Sequence, residues 1–174
     1  MLCLDNNITL NRGRYQFNDI VINKNNDRIS KITNIERCEN PQLWDMITFD
    51  DGSHAMPGNI KDLELSYKVL LRLGFKKLTS TFSKKRPTDY TYDGGDFRMI
   101  YTISTGRIII QPRNGELQSG KLNLRCVRAL QRVRFEPKKL EDMKVTQGTA
   151  SYTEFAAVHL KDLINFDVLI GEKF

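Results

Sequence analysis

Short apolar runs separated by polar, asparagine-rich connections dominate the first part of the chain. The runs fall at residues 19–22, 29–33 and 46–49, and an Asp-Asp-Gly sequence at residues 50–52 supplies a tight turn after the last run. Short strands at close spacing, joined by turns, are typical of small β-barrels. The pattern therefore predicts a small SH3-like β-barrel over residues 1–64.

The next segment, residues 65–75, carries the signals of a short helix. Ser66 is a residue type that caps helix N-termini, and Leu65 and Leu70 occupy the two positions of a hydrophobic staple. Gly74 supplies the left-handed residue with which many helices end. We therefore expect one short helix here.

Two strands are predicted after this helix, over residues 97–104 and 107–111. Thr105 and Gly106 lie between them, and a connection this short favours an antiparallel hairpin. The middle of the chain is therefore expected to contain a sheet next to its helices.

The longest helical pattern covers residues 122–135 and ends before Pro137. At about 100° per residue, one side of this helix is apolar and the opposite side is basic. The apolar side consists of Cys126, Val127, Leu130 and Val133. The basic side consists of Lys121, Arg125, Arg128 and Arg132. The pattern predicts a helix that buries one side and exposes the other.

The tail contains a capping box, Ser151 and Glu154, which predicts a further helix that includes His159. Residues 167–171 are a candidate last strand. Together these elements indicate an α+β fold with an N-terminal small SH3-like β-barrel, a small α+β module and a C-terminal helix/strand extension. The expected boundaries are residues 1–64, 65–140 and 141–174.

Composition and cysteine usage restrict the class of protein. Of 174 residues, 40% are hydrophobic and 28% are charged, as in ordinary globular domains. The chain has no apolar run near the roughly 20 residues of a membrane helix, and its N-terminus lacks the features of a signal peptide. Three widely spaced cysteines and two histidines form no disulfide framework or metal motif. We expect a cytoplasmic protein without membrane association, cofactor or metal.

Positive charge is concentrated in the middle of the chain. Residues 66–140 carry 17 lysines and arginines against five acidic residues, a net charge of +12, whereas the segments on either side carry −3 each. Such asymmetry is typical of a surface that binds an acidic partner. We assign binding of nucleic acid or of an acidic protein to Lys121, Arg125, Arg128 and Arg132, extended by Lys84, Lys85 and Arg86. A solvated face, or pairing with acidic residues of the other segments, explains the same pattern.

Residues 115–121 match the first seven positions of a phosphate-binding loop, Gly-x-x-x-x-Gly-Lys, between a predicted strand and a predicted helix. The following position needs a serine or threonine to hold magnesium, but it is Leu122. The motif is therefore incomplete, and nucleotide binding is only a remote alternative.

Aromatic residues alternate within the basic segment: Tyr90, Tyr92, Phe97 and Tyr101. Exposed aromatic rings stack on nucleic-acid bases. The same near-alternation is also typical of one buried face of a strand pair. Both interpretations stay open from the sequence.

Three stretches, residues 17–21, 70–75 and 127–135, carry a resemblance to a known family. The chain resembles a family of short uncharacterised proteins from Bacteroidota genomes and their phages over roughly residues 10–140. The resemblance implies a small β-barrel module, an α/β module ending in an amphipathic helix, and a phage or mobile-element setting; it implies no activity. The chain departs from the family at Arg128, where a histidine is usual, and at the acidic end that usually follows the helix.

The sequence contains no complete catalytic motif. The first hypothesis is a non-enzymatic phage or mobile-element accessory protein whose basic face binds nucleic acid or an acidic protein and interferes with a host system. The second is a phage virion or assembly component that self-associates through its oppositely charged segments.

Overall fold

A computed structural model describes residues 2–4, 15–39, 45–78, 89–95, 97–112, 118–119, 123–135 and 158–174. Antiparallel sheets dominate these residues and the helices are few, so the fold is mixed α+β. The strands in chain order are β1 (Leu2–Leu4), β2 (Ile20–Asn23), β3 (Arg28–Glu36), β4 (Met46–Phe49), β5 (His54–Ala55), β6 (Ile60–Asp62), β7 (Lys76–Lys77), β8 (Asp89–Asp93), β9 (Phe97–Thr102), β10 (Arg107–Pro112), β11 (Gln118–Ser119), β12 (Val133–Phe135) and β13 (Val158–His159). The α-helices are α1 (Tyr67–Leu73) and α2 (Val127–Gln131), and 3₁₀ turns occupy Pro57–Asn59, Leu160–Asp162 and Phe166–Leu169.

The first sheet contains β2 to β6 in the order β5-β4-β3-β2-β6. The chain runs as a meander from β2 to β5, and the 3₁₀ turn at Pro57–Asn59 then returns it so that β6 pairs antiparallel with β2. Alternating side chains such as Val21, Ile32 and Phe49 form a small core on one side. The three predicted strands are confirmed. In the described residues β5 and β6 stay at opposite edges, so the sheet is open and the predicted closed barrel is not confirmed.

The second sheet has the order β11-β10-β9-β8-β7 and is antiparallel throughout. Its central hairpin, β9 and β10, turns at residues 103–106, where Gly106 adopts a φ of 69°. The predicted hairpin is therefore confirmed. One face of this sheet buries Met99, Tyr101, Ile108 and Ile110 against the main core.

Helix α1 follows its sequence signals. The hydroxyl of Ser66 accepts a hydrogen bond from the Val69 backbone N–H at 3.3 Å, and Gly74 ends the helix with a φ of 104°. Val69 and Leu70 are buried. The opposite side of α1 stays exposed, which makes this helix important for the site described below.

Helix α2 is much shorter than predicted, and all five of its residues are buried. The last part of the predicted helix, Val133–Phe135, is instead β12, which lies between β1 and β13 in a third sheet. The spacing of Val127, Leu130 and Val133 fits a helix. After Arg132, however, the backbone N–H and C=O groups form their hydrogen bonds with β1 and β13 instead of within a helix. The prediction of one long helix over residues 122–135 is therefore wrong.

The tail also differs from the prediction. His159 lies in β13 rather than in a helix, and a 3₁₀ turn, Phe166–Leu169, replaces the strand predicted over residues 167–171. Asn165 caps this turn, because its side chain accepts a hydrogen bond from the Asp167 backbone N–H at 3.1 Å. Such local side-chain bonds favour turns over strands. The capping box that starts at Ser151 lies outside the described residues.

One main core joins the three predicted parts of the chain. Ile20 of the first sheet, Leu70 of α1, Leu130 of α2 and Leu169 of the tail all belong to it. The expected domain boundaries stay a prediction, although the buried side chains cross them. Within the described ranges, every helix is too short or too polar to cross a membrane.

Candidate functional site

The basic residues singled out in the sequence do not form one exposed face. Arg128 and Arg132 are buried, at 2% and 3% exposure, whereas Arg125 is exposed. The remaining residues of the predicted face lie outside the described residues: Lys121, Lys84, Lys85 and Arg86. The prediction that Arg128 and Arg132 face a ligand on the surface is therefore wrong.

Arg128 pairs with Asp62 on β6. Its Nε and Nη2 atoms donate to the two carboxylate oxygens of Asp62, and its guanidinium lies 4.9 Å from the ring centre of Tyr15. Burial alone lowers the pKa of Arg128, but the hydrogen bond and the charge of Asp62 outweigh it and raise the pKa overall. Asp62 keeps 40% of its side chain in contact with solvent, so only the arginine is fully desolvated.

Arg132 pairs with Asp19, and both side chains are only 4% exposed. The Nη2 atom of Arg132 lies 2.6 Å from Oδ2 of Asp19. Burial raises the pKa of Asp19 to about 6 against the attraction of Arg132, and burial lowers the pKa of Arg132 despite Asp19. Both shifts favour the neutral forms, so desolvation outweighs the attraction within this pair.

Gln131 completes the contact between α2 and the first sheet. Its Oε1 accepts a hydrogen bond from the Ile20 backbone N–H, and its Nε2 donates to the Asn18 carbonyl, both at 2.9 Å. The polar side chains of α2 thus bind the edge of the first sheet around β2 and β6. Because Asp62 and Asp19 pair with Arg128 and Arg132, the basic side of α2 can be buried against the first sheet.

The uneven distribution of charge along the sequence is partly neutralised within the fold. Besides the pairs of Arg128 and Arg132, Arg72 of the basic segment lies 3.2 Å from Glu172 of the acidic tail. Lys31 pairs with Asp167 at 3.1 Å, which joins the first sheet to the tail. Pairing with acidic residues of other segments, one of the plainer explanations, is therefore confirmed for Arg128 and Arg132.

Arg125 and the chain around it form one side of a surface groove. The Leu65 backbone N–H donates to the Arg125 carbonyl at 3.0 Å, and the Val127 N–H donates to the Leu63 carbonyl at 2.8 Å. These bonds align residues 63–65 antiparallel to residues 125–127. The Arg125 side chain then turns toward the β9–β10 hairpin, where its Nη1 atom donates to the Ile103 carbonyl at 3.0 Å.

The groove lies between β6, the start of α1 and this segment. It comprises a cavity of about 650 Å³ and a smaller one of about 270 Å³, and both cavities are lined by Glu64, Ser66, Tyr67 and Arg125. The floor of the larger cavity is apolar and consists of Ile22, Leu63, Val69 and Cys126. We call these two cavities together the α1 groove.

Exposed aromatic and basic side chains surround the α1 groove. Tyr67 is 48% exposed, and the Nζ atom of Lys68 lies 6.0 Å from its ring centre. Phe174 is also exposed, and it lines the larger cavity, as does Lys61. Three cations line the cavity: Lys61, Lys68 and Arg125. Of the two carboxylates there, Asp62 pairs with Arg128, and Glu64 has no basic partner among the described residues. The cations therefore outnumber the unpaired carboxylate. The surface is therefore apolar at its floor and basic at its edge.

Sequence reasoning missed this surface. Tyr67 and Leu71 are four residues apart, as are Lys68 and Arg72, so the exposed side of α1 was visible in the spacing once the helix was placed. The signal was weak, because single exposed apolar residues are common on helices. Phe174 carried no signal at all, because the tail packs next to α1 only in the folded chain.

Another cavity, of about 490 Å³, lies between the start of β2 and the tail. We call it the polar cleft, and the buried pair of Asp19 and Arg132 lies in its lining. Its walls also include Phe17, Lys31 and Lys161. The cleft thus combines a desolvated ion pair with both exposed aromatic and basic groups.

The aromatic residues of the basic segment do not form a stacking surface. Tyr90, Phe97 and Tyr101 are buried, and Tyr92 packs between Phe75 and Phe97 with ring centres 5.3 and 6.0 Å away. The alternative of a buried strand face is confirmed. Cys126 is likewise buried, as its place on the apolar side of the predicted helix indicated.

Of the incomplete phosphate loop at residues 115–121, the structure describes only Gln118 and Ser119. Gln118–Ser119, inside the motif, pairs with β10 as a strand. Residues 123–126 are not helical, and α2 begins only at Val127. The described residues therefore do not support the remote alternative of nucleotide binding at residues 115–121, and the rest of the motif lies outside them.

Among the described residues, histidine, cysteine and acidic side chains nowhere converge in a group of three or more that could hold a metal ion. Comparison with protein-family models, with curated proteins and with solved structures finds no match to this chain.

Proposed function

We propose that this is a non-enzymatic binding protein that takes an acidic, amphipathic segment of a partner protein into the α1 groove. The observation that carries the proposal is the combination of an apolar floor with three cations at the edge, Lys61, Lys68 and Arg125. An amphipathic helix buries apolar side chains in such a groove, and acidic side chains on its flanks pair with the surrounding cations. Tyr67 and Phe174 provide the aromatic contacts that often dominate binding energy.

The chemistry of the groove favours an acidic protein over nucleic acid. Ile22, Leu63 and Val69 offer aliphatic surface, which suits leucine or phenylalanine side chains better than a sugar-phosphate chain. In addition, Arg128 and Arg132, the arginines suited to bidentate phosphate contacts, are already paired.

The finer architecture and the biological setting are part of the proposal. The meander, the 3₁₀ turn at Pro57–Asn59 and the return of β6 to β2 support an SH3-like arrangement of the first sheet. The resemblance of residues 127–135 to proteins of Bacteroidota and their phages supports a phage or mobile-element accessory role in the host cytoplasm. A partner protein of the host is the corresponding binding target.

Fluorescence anisotropy with a labelled peptide tests the proposed binding. The probe is an acidic helical peptide with leucines on one face and glutamates on the other, and its control has the same composition in scrambled order. We expect salt-sensitive binding of the patterned peptide only, because the groove needs the leucines on one side. Equal binding of the scrambled peptide means that charge alone attracts it, which contradicts the proposal.

Matched variants locate the binding surface. Tyr67→Ala and Lys68→Glu should each weaken peptide binding by about tenfold or more. Lys76→Glu makes the same charge change at an exposed lysine of β7 outside the groove and should retain most of the affinity. If a labelled single-stranded oligonucleotide binds more tightly than the peptide and Lys68→Glu weakens that binding, the partner is nucleic acid and the protein version is wrong.

The alternative of a virion or assembly component has less support. It requires pairing between oppositely charged segments of neighbouring copies, but Arg128, Arg132 and Arg72 make such pairs within one chain. Size-exclusion chromatography at low and high salt distinguishes the two proposals. Oligomers that dissociate with salt would favour assembly, whereas a monomer at both salt concentrations favours the binding protein.

A further inference from the structure

Two methionines and a histidine share the solvent side of the first sheet at its β4–β5 edge. Met46 and Met56 are 40% and 44% exposed, and His54 is exposed as well. Their neighbours Ile47 and Ala55 point the other way, into the small core of this sheet. Methionine is among the residues most often buried, so two exposed methionines on one face of a sheet indicate a use for their side chains.

The pairing of β4 with β5 brings these side chains together. Thr48 lies opposite His54 in this antiparallel pair. The same register, two residues further from the turn, places Met46 opposite Met56, whose backbone is extended with φ −84° and ψ 157°. Side chains directly opposite each other on neighbouring strands have Cβ atoms about 4.5–5.5 Å apart. The two thioethers are therefore within reach of each other, and the imidazole of His54, two residues before Met56, lies on the same face.

Thr48 and Glu36 complete the surroundings of this cluster. The Oγ1 atom of Thr48 lies 2.9 Å from Nδ1 of His54. When Nδ1 donates its proton to this hydroxyl, Nε2 keeps a lone pair for a ligand, and metal-binding histidines are commonly held in this way. Glu36 of β3 lies opposite Met46 on its other side and is exposed. A carboxylate beside the methionines attracts a cation.

The types of ligand determine which ion fits. Thioether sulfur is uncharged and soft, and together with imidazole it favours Cu(I) over the hard ions magnesium and calcium, which need several oxygen ligands. Structural zinc takes four ligands, mainly from cysteine and histidine. Histidine, cysteine and acidic side chains do not converge in a group of three anywhere in the described part of the chain, so this cluster offers zinc too few of its usual ligands.

We infer that Met46, Met56 and His54 together bind a soft monovalent cation, Cu(I). The two Sδ atoms and Nε2 of the histidine are the ligands, and Glu36 balances the charge. The ion keeps its oxidation state, so binding involves no chemical step. None of these four residues lines the α1 groove, and the inference is therefore independent of the proposed peptide binding.

Methyl NMR of the methionine side chains tests the site directly, with Ag(I) as the probe. Ag(I) has the charge and the ligand preference of Cu(I) but is stable in air. Cysteine thiols also bind silver, so Ag(I) is added in excess over the three cysteines and each methionine methyl signal is followed separately. We expect the signals of Met46 and Met56 to shift, while that of Met99, buried in the second sheet, stays. Unchanged Met46 and Met56 signals would overturn the inference, and equal shifts with Zn(II) would overturn the selection of a soft ion.

Competition with bicinchoninate, a coloured Cu(I) chelator, under reducing conditions tests the sulfur ligands. Met46→Leu and Met56→Leu keep an apolar side chain of similar size but remove the thioether, and each should lose the Cu(I) bound at this site. Met99→Leu is the matched control, because it removes a thioether outside the cluster, and it should retain as much Cu(I) as the unchanged protein. An equal loss in all three variants, or no loss in the first two, would contradict the inference.

His54→Gln tests the nitrogen ligand. We expect it to weaken Ag(I) binding about tenfold in the methyl titration without affecting the fold, because the side chain is exposed. Unaltered affinity in this variant would exclude the imidazole from the site and contradict the inferred set of ligands. Tyr67→Ala, in the α1 groove, should bind Ag(I) as the unchanged protein does. Peptide binding depends on Tyr67 and Lys68, so the failure of either proposal leaves the other measurable.

Discussion

The two helices of this protein use similar residues in opposite ways. Helix α1 exposes Lys68 and Arg72 together with two apolar side chains, whereas α2 buries Arg128, and Arg132 directly after it, against carboxylates of the first sheet. Neither helix contains an acidic residue to neutralise its own cations. The difference lies in which side chains from the rest of the chain pack against each helix.

The comparison shows that a basic helical side is not by itself a binding surface. Asp19 and Asp62 come from the acidic first part of the chain, far in sequence from the arginines that they neutralise. Both arginines hold α2 against β2 and β6, so their charge contributes to folding. The cations that stay available for a partner are Lys68 of α1 and its neighbours Lys61 and Arg125, because Arg72 pairs with Glu172.

The largest expected effect follows removal of one partner of the fully buried pair. Arg132→Met should reduce the free energy of unfolding by about 3–5 kcal/mol, because Asp19 would be left as an uncompensated buried charge. Urea denaturation monitored by circular dichroism measures the loss.

The double variant Asp19→Asn/Arg132→Met separates the pair from the packing around it. We expect it to recover much of the stability, because replacing a buried ion pair by neutral groups is often tolerated. The asparagine introduced in that variant can still accept the hydrogen bond from the Gln16 backbone N–H through its amide oxygen. A double variant as unstable as the single one would mean that attraction within the pair, rather than desolvation, dominates.

A smaller loss is expected at the half-exposed pair. Arg128→Ala removes two hydrogen bonds to a carboxylate and the contact with Tyr15, which together contribute about 1.5–3 kcal/mol. Asp62 is 40% exposed, so water can replace the arginine. The same urea experiment should therefore rank Arg128→Ala below Arg132→Met, and the reverse order would contradict the comparison between buried and half-exposed pairs.

The pH dependence of stability reports on Asp19 directly. Burial raises its pKa to about 6, against the charges of Arg132 and Arg128 and with a smaller contribution from Asp62, while its ordinary value is 3.8. The folded state then binds this proton more tightly than the unfolded state. The contribution of Asp19 to stability is therefore fully present below 3.8 and is lost as the pH rises through about 6.

The pKa of another carboxylate, Asp50, is lowered rather than raised, so the pH dependence of the unchanged protein alone does not isolate Asp19. Hydrogen bonds to Arg28 and the Lys31 backbone N–H lower the pKa of Asp50 despite its desolvation, and this stabilises the folded state at higher pH. Subtracting the unfolding free energy of Asp19→Asn from that of the unchanged protein removes these shared terms. The difference should fall between pH 3.8 and about 6, and a difference that does not fall over this range would contradict a raised pKa of Asp19.

Local signals in the sequence were sufficient for the elements that depend on near neighbours. The cap at Ser66, the stop at Gly74 and the hairpin between β9 and β10 each rest on contacts within a few residues. Helix α2 was predicted too long because β12 depends on pairing with β1 and β13, more than 20 residues away along the chain on either side. A pattern of apolar spacing cannot report such partners.

The candidate site was predictable only in part for the same reason. The basic side of α2 was visible as a pattern, but its neutralisation depends on Asp19 and Asp62, which pair with it only after folding. The α1 groove needs β6, Arg125 and Phe174 to meet, and each of these comes from a different part of the chain. Long-range packing, which the sequence pattern does not encode locally, determines which charges stay exposed.

The smallest expected effect on stability is at the exposed helix. Lys68→Ala should change the free energy of unfolding by no more than about 0.5 kcal/mol, because the side chain is exposed and alanine favours the helix. The same variant should weaken binding of the acidic peptide measurably. Arg132→Met differs from it, because its main effect is on the free energy of unfolding. If Lys68→Ala destabilises the protein as much as Arg128→Ala does, α1 also uses its cations for folding. The distinction between the two helices would then fail, because no cation of α1 would be free of a structural role and available to a partner.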